Sequence, residues 1–285
     1  MRIALGVEYD GSGYHGWQRQ EPGVSTVQGE LEAALSRVAN TDVRVVCAGR
    51  TDAGVHATGQ VVHFDTEAER ENRSWVFGAN ANLPDDVAVR WAARMPEHFH
   101  ARFSAVSRSY RYVICSDPVR PALLRRQVTW NYRTLELQRM RAALPHLRGR
   151  HDFSAYRSVH CQAQSPVRTL EHLALYRQGP LLVLEVRADA FLMHMVRNIA
   201  GVLMSIGSGR REPDWAGEVL AARDRRAGGV TAPPWGLYLV RIGYPDEFAL
   251  PVDRLGPLGL PDEFPSSRNQ HGDSPDNDPS GAGIC

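Results

Sequence analysis

The chain contains no lysine: all 33 of its basic residues are arginine, in a sequence of 285 residues. Reactions that depend on a lysine amine are therefore excluded, among them Schiff-base chemistry and phosphate binding by a Walker-A loop. Skewed codon usage explains this composition more simply than adaptation does, and the exclusion holds in either case.

Cysteine is also scarce. The chain has four cysteines that lie far apart and form neither a CxxC pair nor the spacing of zinc ligands: Cys47, Cys115, Cys161 and Cys285. Neither a disulfide scaffold nor a structural zinc site is therefore predicted.

Long apolar runs are missing as well, since none approaches the roughly 20 residues that cross a bilayer. The longest candidate, Ala188–Ile206, is interrupted by four polar residues: Asp189, His194, Arg197 and Asn198. Near the N-terminus, Glu8 and Asp10 arrive too early for a signal peptide. We therefore expect a cytoplasmic protein without membrane spans.

Charge is unevenly distributed along the chain. The net charge is only +1, but residues 261–285 carry five acids and one arginine, which leaves +5 on residues 1–260. A weakly basic body can bind nucleic acid through local arginine clusters, although the net charge alone does not indicate this function.

The hydrophobic pattern predicts both helices and strands. Helical spacing predicts helices at Thr26–Val38, Leu135–Leu147 and Phe191–Ile206. Ser25 is the expected N-cap of the first helix, and Gln28 would complete a capping box. Short apolar segments predict strands at Ile3–Tyr9, Val43–Ala48, Gly59–Phe64, Val87–Ala93, Tyr110–Cys115, Gln127–Tyr132, Leu170–Arg177, Leu181–Arg187 and Leu237–Ile242.

Helices do not alternate strictly with strands, which favours an α+β fold with mainly antiparallel, mixed sheets flanked by helices. We expect two related α+β domains, at residues 1–105 and 106–250. Residues 251–285 form an extension, and Ser266–Gly283 is rich in Ser, Asn, Asp, Pro and Gly. This composition predicts a mostly disordered acidic tail.

The densest polar cluster is CAGRTDAGVH, Cys47–His56, which places Arg50 and Asp52 between two glycines. Glycines beside a polar cluster allow a sharp turn and the close approach of a ligand. On these residues alone, a functional loop and a structural Asx turn with a surface ion pair explain the pattern equally well.

Segments along residues 1–250 resemble, in the expected order, the tRNA pseudouridine synthase A family. The signature stretch is GRTDAGVHATGQVVHF, and the other similar segments are YDGSGYHGWQRQ, TVQGELEAAL, ANLPDDVAVR, FHARFSA, SRSYRYVI, HDFSAYR, FLMHMVRNIAG and GLYLVRIGYP. Nine such segments in order are not a coincidence. The acidic extension lies outside the resemblance.

The resemblance implies the pseudouridine synthase fold and an isomerase that converts uridine to pseudouridine at positions 38, 39 and 40 of the tRNA anticodon stem-loop. It also implies a homodimer that uses no cofactor. By resemblance, Asp52 is the catalytic aspartate, and Arg50 helps to extrude the target nucleotide. Tyr110 packs on the target uracil, and Arg197 pairs with the catalytic carboxylate.

The chemistry of this isomerisation fits a carboxylate acting alone. The C1′–N1 bond breaks and the same uracil rejoins through C5, so no atoms enter or leave and no redox step occurs. Asp52 can assist by attack at C1′, by attack at C6 or by abstraction of a sugar proton. Tyr110 can stack on the base, and its hydroxyl can serve as acid or base.

Tyr110 and Arg197 each have a simpler interpretation. Without the resemblance, Tyr110 reads as a core aromatic of a strand and Arg197 as a surface charge of a helix. The helix around Arg197 is apolar, however, and a buried arginine needs a partner, for which Asp52 is the natural candidate.

Two other functions remain as alternatives. A metal-dependent hydrolase could use Asp52 with His56, His63, His98 and His100, although the chain has no HExxH motif. A non-catalytic RNA-binding protein could use arginine clusters, among them Arg108/Arg111, Arg125/Arg126, Arg148/Arg150 and Arg210/Arg211.

Overall fold

The computed structural model describes residues 1–251, 254–257 and 259–262. The strands in this part of the chain are β1 Arg2–Tyr9, β2 Val46–Cys47, β3 His56–Asp65, β4 Val87–Met95, β5 Ser107–Ser116, β6 Thr129–Asn131, β7 Gly149–Asp152, β8 Val167–Gln178, β9 Leu181–Ala188 and β10 Leu237–Gly243. The α-helices are α1 Val27–Ala39, α2 Asn72–Asn80, α3 Leu137–Ala143, α4 Met195–Gly207 and α5 Trp215–Ala222. The predicted disordered tail lies almost wholly outside the described residues.

The strands form one mixed sheet in the order β4-β1-β3-β10-β5-β9-β8-β7, with β2 paired to β3 and β6 paired to β5. Only the pairings β10–β3 and β5–β6 are parallel, and the other described pairings are antiparallel. The predicted α+β class, with a mainly antiparallel mixed sheet flanked by helices, is therefore confirmed.

Strand β10 comes last in sequence but lies between β3 and β5, where it joins the strands of the two predicted halves. One hydrophobic core runs through both halves and includes Trp17, Phe64, Tyr112 and Leu203. The division into domains at residues 1–105 and 106–250 stays a prediction.

The N-cap prediction for α1 was wrong by one residue. Thr26, not Ser25, caps the helix, and its hydroxyl accepts a hydrogen bond from the amide of Gly29. Gln28 therefore makes no capping box. Its side chain instead accepts from the Arg19 amide and donates to Glu32, which fixes the start of α1 against the preceding loop.

Helices α2 and α5 and strand β7 were not predicted from the sequence. Each is short, and each carries a weak apolar pattern: α2 buries only Trp75 and Ala79, and β7 has the polar sequence GRHD. These elements are stabilised by packing against larger neighbours, since α2 contacts β4 and β7 pairs with β8. Local sequence alone carries little of that information.

Helix α4 begins later than predicted, at Met195 instead of Phe191. The residue before it, His194, adopts a left-handed backbone conformation with φ of 64°, which breaks the helical path. Residues Phe191–Met193 therefore form a loop that turns toward the segment between β2 and β3, as described below.

No helix among the described residues is long and apolar enough to cross a membrane.

The most unusual core feature is a buried ion pair between β5 and β9. Arg111 and Glu185 are both fully buried, and a guanidinium nitrogen lies 2.7 Å from the carboxylate. The Tyr176 hydroxyl also donates to this carboxylate, at 3.0 Å. The prediction that Arg111 and Arg108 form a phosphate-binding cluster is therefore wrong for Arg111, which is buried and pairs with Glu185.

We predict that Arg111→Met lowers the free energy of unfolding by about 3–5 kcal/mol, because it leaves the buried Glu185 carboxylate without its cation. Urea titration followed by circular dichroism measures this change. The double variant Arg111→Met/Glu185→Met should recover most of the loss, because it leaves no uncompensated buried charge.

The control is Arg226→Ala, which removes a fully exposed partner of Asp224 and should leave the urea midpoint unchanged. A wild-type midpoint for Arg111→Met would show that the buried pair contributes nothing to stability.

Candidate active site

Asp52 lies in a tight turn between β2 and β3. The amide of Val55 donates to the carbonyl of Asp52 at 3.1 Å and closes the turn, and Gly54 supplies the positive φ of 77° that the turn requires. A Cβ at Gly54 would also approach Pro234 to 2.9 Å. Local backbone bonds and a neighbouring loop therefore fix the position of the Asp52 side chain.

The glycine-rich loop after β1 supports this turn from behind. The amide of Trp17 donates to the carbonyl of Thr51 at 3.0 Å, and the hydroxyls of Tyr9 and Thr51 lie 2.8 Å apart. Gly16 has a φ of 96°, and a Cβ there would come within 2.9 Å of the Thr51 carbonyl oxygen. The segment YDGSGYHGWQRQ and the signature stretch that contains Asp52 thus pack against each other.

Two basic side chains from the start of α4 meet the carboxylate of Asp52. A guanidinium nitrogen of Arg197 donates to Oδ2 at 3.2 Å, and Nε2 of His194 lies 3.4 Å from the same oxygen. Arg197 is held in turn by its Nε, which donates to the carbonyl of Ala232 at 2.8 Å. The predicted pairing of Arg197 with Asp52 is present in the structure.

The carboxylate of Asp52 is neither fully buried nor fully exposed. The Asp52 side chain is 28% exposed, while Arg197 is 14% exposed and His194 26% exposed. A charge in such a setting interacts strongly with its neighbours because water screens it only in part. The Arg197 guanidinium therefore stabilises the negative charge of Asp52 and leaves the carboxylate accessible from one side.

His194 is a site residue that was not predicted from the sequence, where it only interrupts an apolar run. Its spacing of three residues from Arg197 was the available signal, since residues at this spacing share a helix face. That signal is weak here, because His194 precedes the helix and reaches Asp52 only through its left-handed backbone.

Tyr110 lies on β5 beside the site and is buried. Its ring packs edge-on against Phe191, with ring centroids 4.9 Å apart. Burial, assisted by the nearby negative charge of Asp52, raises the pKa of the Tyr110 hydroxyl above its usual range. The side chain is therefore a neutral phenol at ordinary pH, and a role as phenolate base is disfavoured.

These residues line a cleft of about 1020 Å³. Asp52, Tyr110 and Phe191 lie along it, and Arg50 is exposed in its wall. Further lining arginines are Arg102, Arg108 and Arg168. The cleft thus combines an apolar, aromatic part with a cationic surface, as expected of a site for a polynucleotide.

Cys47, which lines this cleft, is not activated as a nucleophile. Cys47 is the cysteine nearest in sequence to Asp52, and burial raises the pKa of its thiol to about 11. It is therefore a protonated thiol at neutral pH, and the thiolate is the nucleophilic form.

The histidines of the hydrolase alternative do not converge on Asp52. His56 binds backbone groups through both ring nitrogens, and His63 accepts from the amide of Ala101. Among the described residues, no group of three His, Cys, Asp or Glu side chains has an arrangement that could hold a metal ion. The geometry therefore gives the hydrolase no support.

A sequence model of the tRNA pseudouridine synthase family matches residues 6–104 and 143–245. The tRNA pseudouridine synthase A of Alcanivorax borkumensis is 65% identical over 263 residues, which cover 92% of this chain and 98% of that protein. The chain belongs to the tRNA pseudouridine synthase family. The enzyme of the same name from Pseudomonas aeruginosa is 63% identical over 264 residues, covering 92% of this chain and 93% of that protein.

This synthase is therefore an isomerase that converts uridine to pseudouridine in tRNA. The match to the family covers most of the chain, whereas the active-site contacts involve only a few side chains. Membership confirms the resemblance that the sequence motifs indicated. The individual roles of Asp52, Arg50, Tyr110 and Arg197 stay predictions.

We predict that His194 shapes the acid side of the pH–rate profile. Burial lowers the pKa of His194 below the ordinary value of a histidine, although the negative charge of Asp52 opposes this shift, so the ring is neutral near neutral pH and gains its charge only at lower pH. A charged His194 would bind Oδ2 of Asp52 more tightly and withdraw it from the substrate. The single-turnover rate should therefore fall on the acid side of neutral pH, and less steeply in His194→Gln.

His146→Gln is the control, since His146 lies beside Asp214 and away from the cleft. An acid limb of the same position and steepness in wild type and His194→Gln would contradict this role.

Proposed function

We propose that Asp52 is the catalytic carboxylate of this synthase, and that its targets are uridines 38, 39 and 40 of the tRNA anticodon stem-loop. The observation that carries the proposal is the setting of Asp52. Its carboxylate lies in a cleft of about 1020 Å³, partly exposed, with Arg197 at 3.2 Å. Among the described residues that line this cleft, Asp52 is the only acid.

A single carboxylate suits this reaction, because the uracil that leaves C1′ is the same group that bonds to C1′ again. Asp52 begins the exchange by attack at C1′, by attack at C6 or by removal of a sugar proton. In each case the C1′–N1 bond breaks, the uracil turns and C5 bonds to C1′. C5 then loses its proton and N1 gains one, so that the product is an isomer of the substrate. A glycosidase would need a second carboxylic acid to protonate its leaving group.

The uracil must be held loosely enough to rotate after cleavage. Tyr110 and Phe191 meet at 81° beside Asp52 and offer an apolar surface of this kind. Tyr110 provides the face on which the target base packs, and stacking on an aromatic ring contributes roughly 1–3 kcal/mol per base. Few hydrogen bonds are needed there, since a dense polar cage would hinder the turn.

Arg50 acts before the chemistry. A base inside a stem must be flipped out, at a cost of a few kcal/mol. Arg50 is two residues from Asp52 and exposed in the cleft wall, so its guanidinium can enter the space that the base vacates and bind a neighbouring phosphate. This interaction offsets part of the flipping cost.

Arg197 acts through Asp52. It is less exposed than the carboxylate and is fixed by the Ala232 carbonyl, so it orients the carboxylate and is itself shielded from the RNA. We also propose that the enzyme works in the cytoplasm and as a homodimer. The tRNA substrate supports the location, and the family resemblance supports the oligomeric state.

We predict that the purified protein forms pseudouridine at positions 38, 39 and 40 of tRNA transcripts, and that Asp52→Asn forms none. The substitution removes the charge but little volume, so RNA binding should persist. Mass-spectrometric mapping of the treated tRNA measures the product, and filter binding measures the affinity.

Pseudouridine formed by Asp52→Asn at the wild-type rate would refute the catalytic assignment. Retained binding with lost product would show that the Asp52 carboxylate acts in the chemical step and not in holding the RNA.

We predict that Arg50→Ala slows modification unequally across the three positions. Positions 39 and 40 lie in the stem, where flipping breaks a base pair, whereas position 38 lies in the loop. The single-turnover rate should therefore fall about tenfold or more at positions 39 and 40 and clearly less at position 38. Position-resolved time courses test this.

Arg73→Ala is the matched control, since Arg73 lies on α2 beside Phe77 and does not line the cleft. An equal loss at all three positions would show that Arg50 contributes general phosphate binding and not flipping.

A further inference from the structure

Phe103 is a large apolar side chain that the fold leaves in water. It is 76% exposed, and it lies in the wall of the cleft that contains Asp52. An exposed phenylalanine forgoes the stabilisation of burial, so its position in a functional cleft points to an interaction with something outside the chain.

The turn that carries Phe103 is closed by several hydrogen bonds. Nδ1 of His100 accepts from the amides of Arg102 and Phe103, both at 3.2 Å. The amide of Ser104 donates to the His100 carbonyl at 2.9 Å, and the Ser104 hydroxyl accepts from the His100 amide at 3.0 Å. The exposure of Phe103 is therefore imposed by an ordered turn.

His100 also supports the ring of Phe103. The two rings stack with centroids 4.3 Å apart and an angle of 29° between their planes. Burial and the nearby Arg2 lower the pKa of His100, which keeps Nδ1 free to accept the two amide protons. One aromatic ring thus holds the other in a defined orientation.

One arginine lies next to this ring, and other arginines line the same cleft. The guanidinium of Arg102 lies 5.6 Å from the centroid of Phe103, and Arg50 lies in the wall of the same cleft. Arg108 donates to the carbonyl of Arg102 at 2.8 Å and so fixes the backbone of the turn. An aromatic ring with arginines beside it is the combination that binds unpaired nucleotides, by stacking and by phosphate contact.

We propose that Phe103, supported by His100, is a stacking platform for an unpaired base of the RNA next to the flipped uridine, and that Arg102 binds the adjoining phosphate. This inference rests on the proposed function, because it takes the cleft around Asp52 as the RNA site. It adds a second aromatic contact to that of Tyr110 and concerns a different nucleotide. Tyr110 is buried and reaches only a base that has entered the pocket, whereas Phe103 faces a base outside it.

The test measures binding of a fluorescently labelled anticodon stem-loop RNA by anisotropy, so that it does not depend on catalysis. Phe103→Ala should raise the Kd about tenfold, within a range of roughly 5- to 150-fold for the loss of one stacked base. Phe103→Trp should bind as wild type does, because it keeps a stacking face. Phe103→Leu should resemble Phe103→Ala, because it keeps apolar volume but no aromatic ring.

Phe77→Ala is the matched control. Phe77 is also an exposed phenylalanine, at 62%, with the guanidinium of Arg73 5.1 Å from its centroid, but it lies on α2 and does not line the cleft. Its Kd should equal that of the wild type.

An unchanged Kd for Phe103→Ala would overturn the platform, and so would wild-type binding by Phe103→Leu. A change in molecular mass by light scattering for Phe103→Ala would also overturn it, because the ring would then contact a second copy of this chain. Failure of Asp52→Asn to abolish product would refute the catalytic assignment but would leave these binding results unaffected, so the two proposals fail separately.

Discussion

The site depends on the electrostatic pairing of Asp52 with Arg197. A carboxylate that is only 28% exposed has lost much of its hydration, and its charge must be stabilised by the protein. Arg197 does this from the buried side at 3.2 Å, and the Ala232 carbonyl holds Arg197 in place. The remaining side of the carboxylate faces the cleft. The contact with Arg197 therefore both stabilises the negative charge of Asp52 and orients its carboxylate toward the cleft.

The sheet brings this pair together from distant parts of the chain. Leu239 on β10 pairs with Ala57 on β3 and with Tyr110 on β5, so one residue aligns the two strands that flank the site. The Asp52 turn precedes β3, and the loop before α4 follows β9, the next strand beyond β5. Strand β10 is thus the link between β3, which follows the Asp52 turn, and β5, which carries Tyr110. The glycines at positions 16 and 54 allow the loop after β1 and the segment around Pro234 to pack closely against the Asp52 turn.

Much of this was predictable from sequence, for reasons that particular residues show. Long strands with strong apolar patterns, such as β1 and β9, were predicted nearly to their ends, and the motif around Asp52 indicated the polar loop. His194 was missed because its position depends on a left-handed backbone conformation, which its three-residue spacing from Arg197 does not indicate. The burial of Arg111 was missed because its partner, Glu185, lies on another strand. The local sequence pattern predicts a single helix or strand, whereas these two contacts depend on which helices and strands pack next to each other.

The most direct test of the account is the single-turnover rate of Arg197→Gln on tRNA, measured together with its Kd. The account predicts that the rate falls on the order of 100-fold while the Kd stays near the wild-type value, because Arg197 acts on the carboxylate and not on the RNA. A wild-type rate in this variant would contradict the claim that the ion pair sustains the active carboxylate. A rate loss explained wholly by a weaker Kd would contradict it as well.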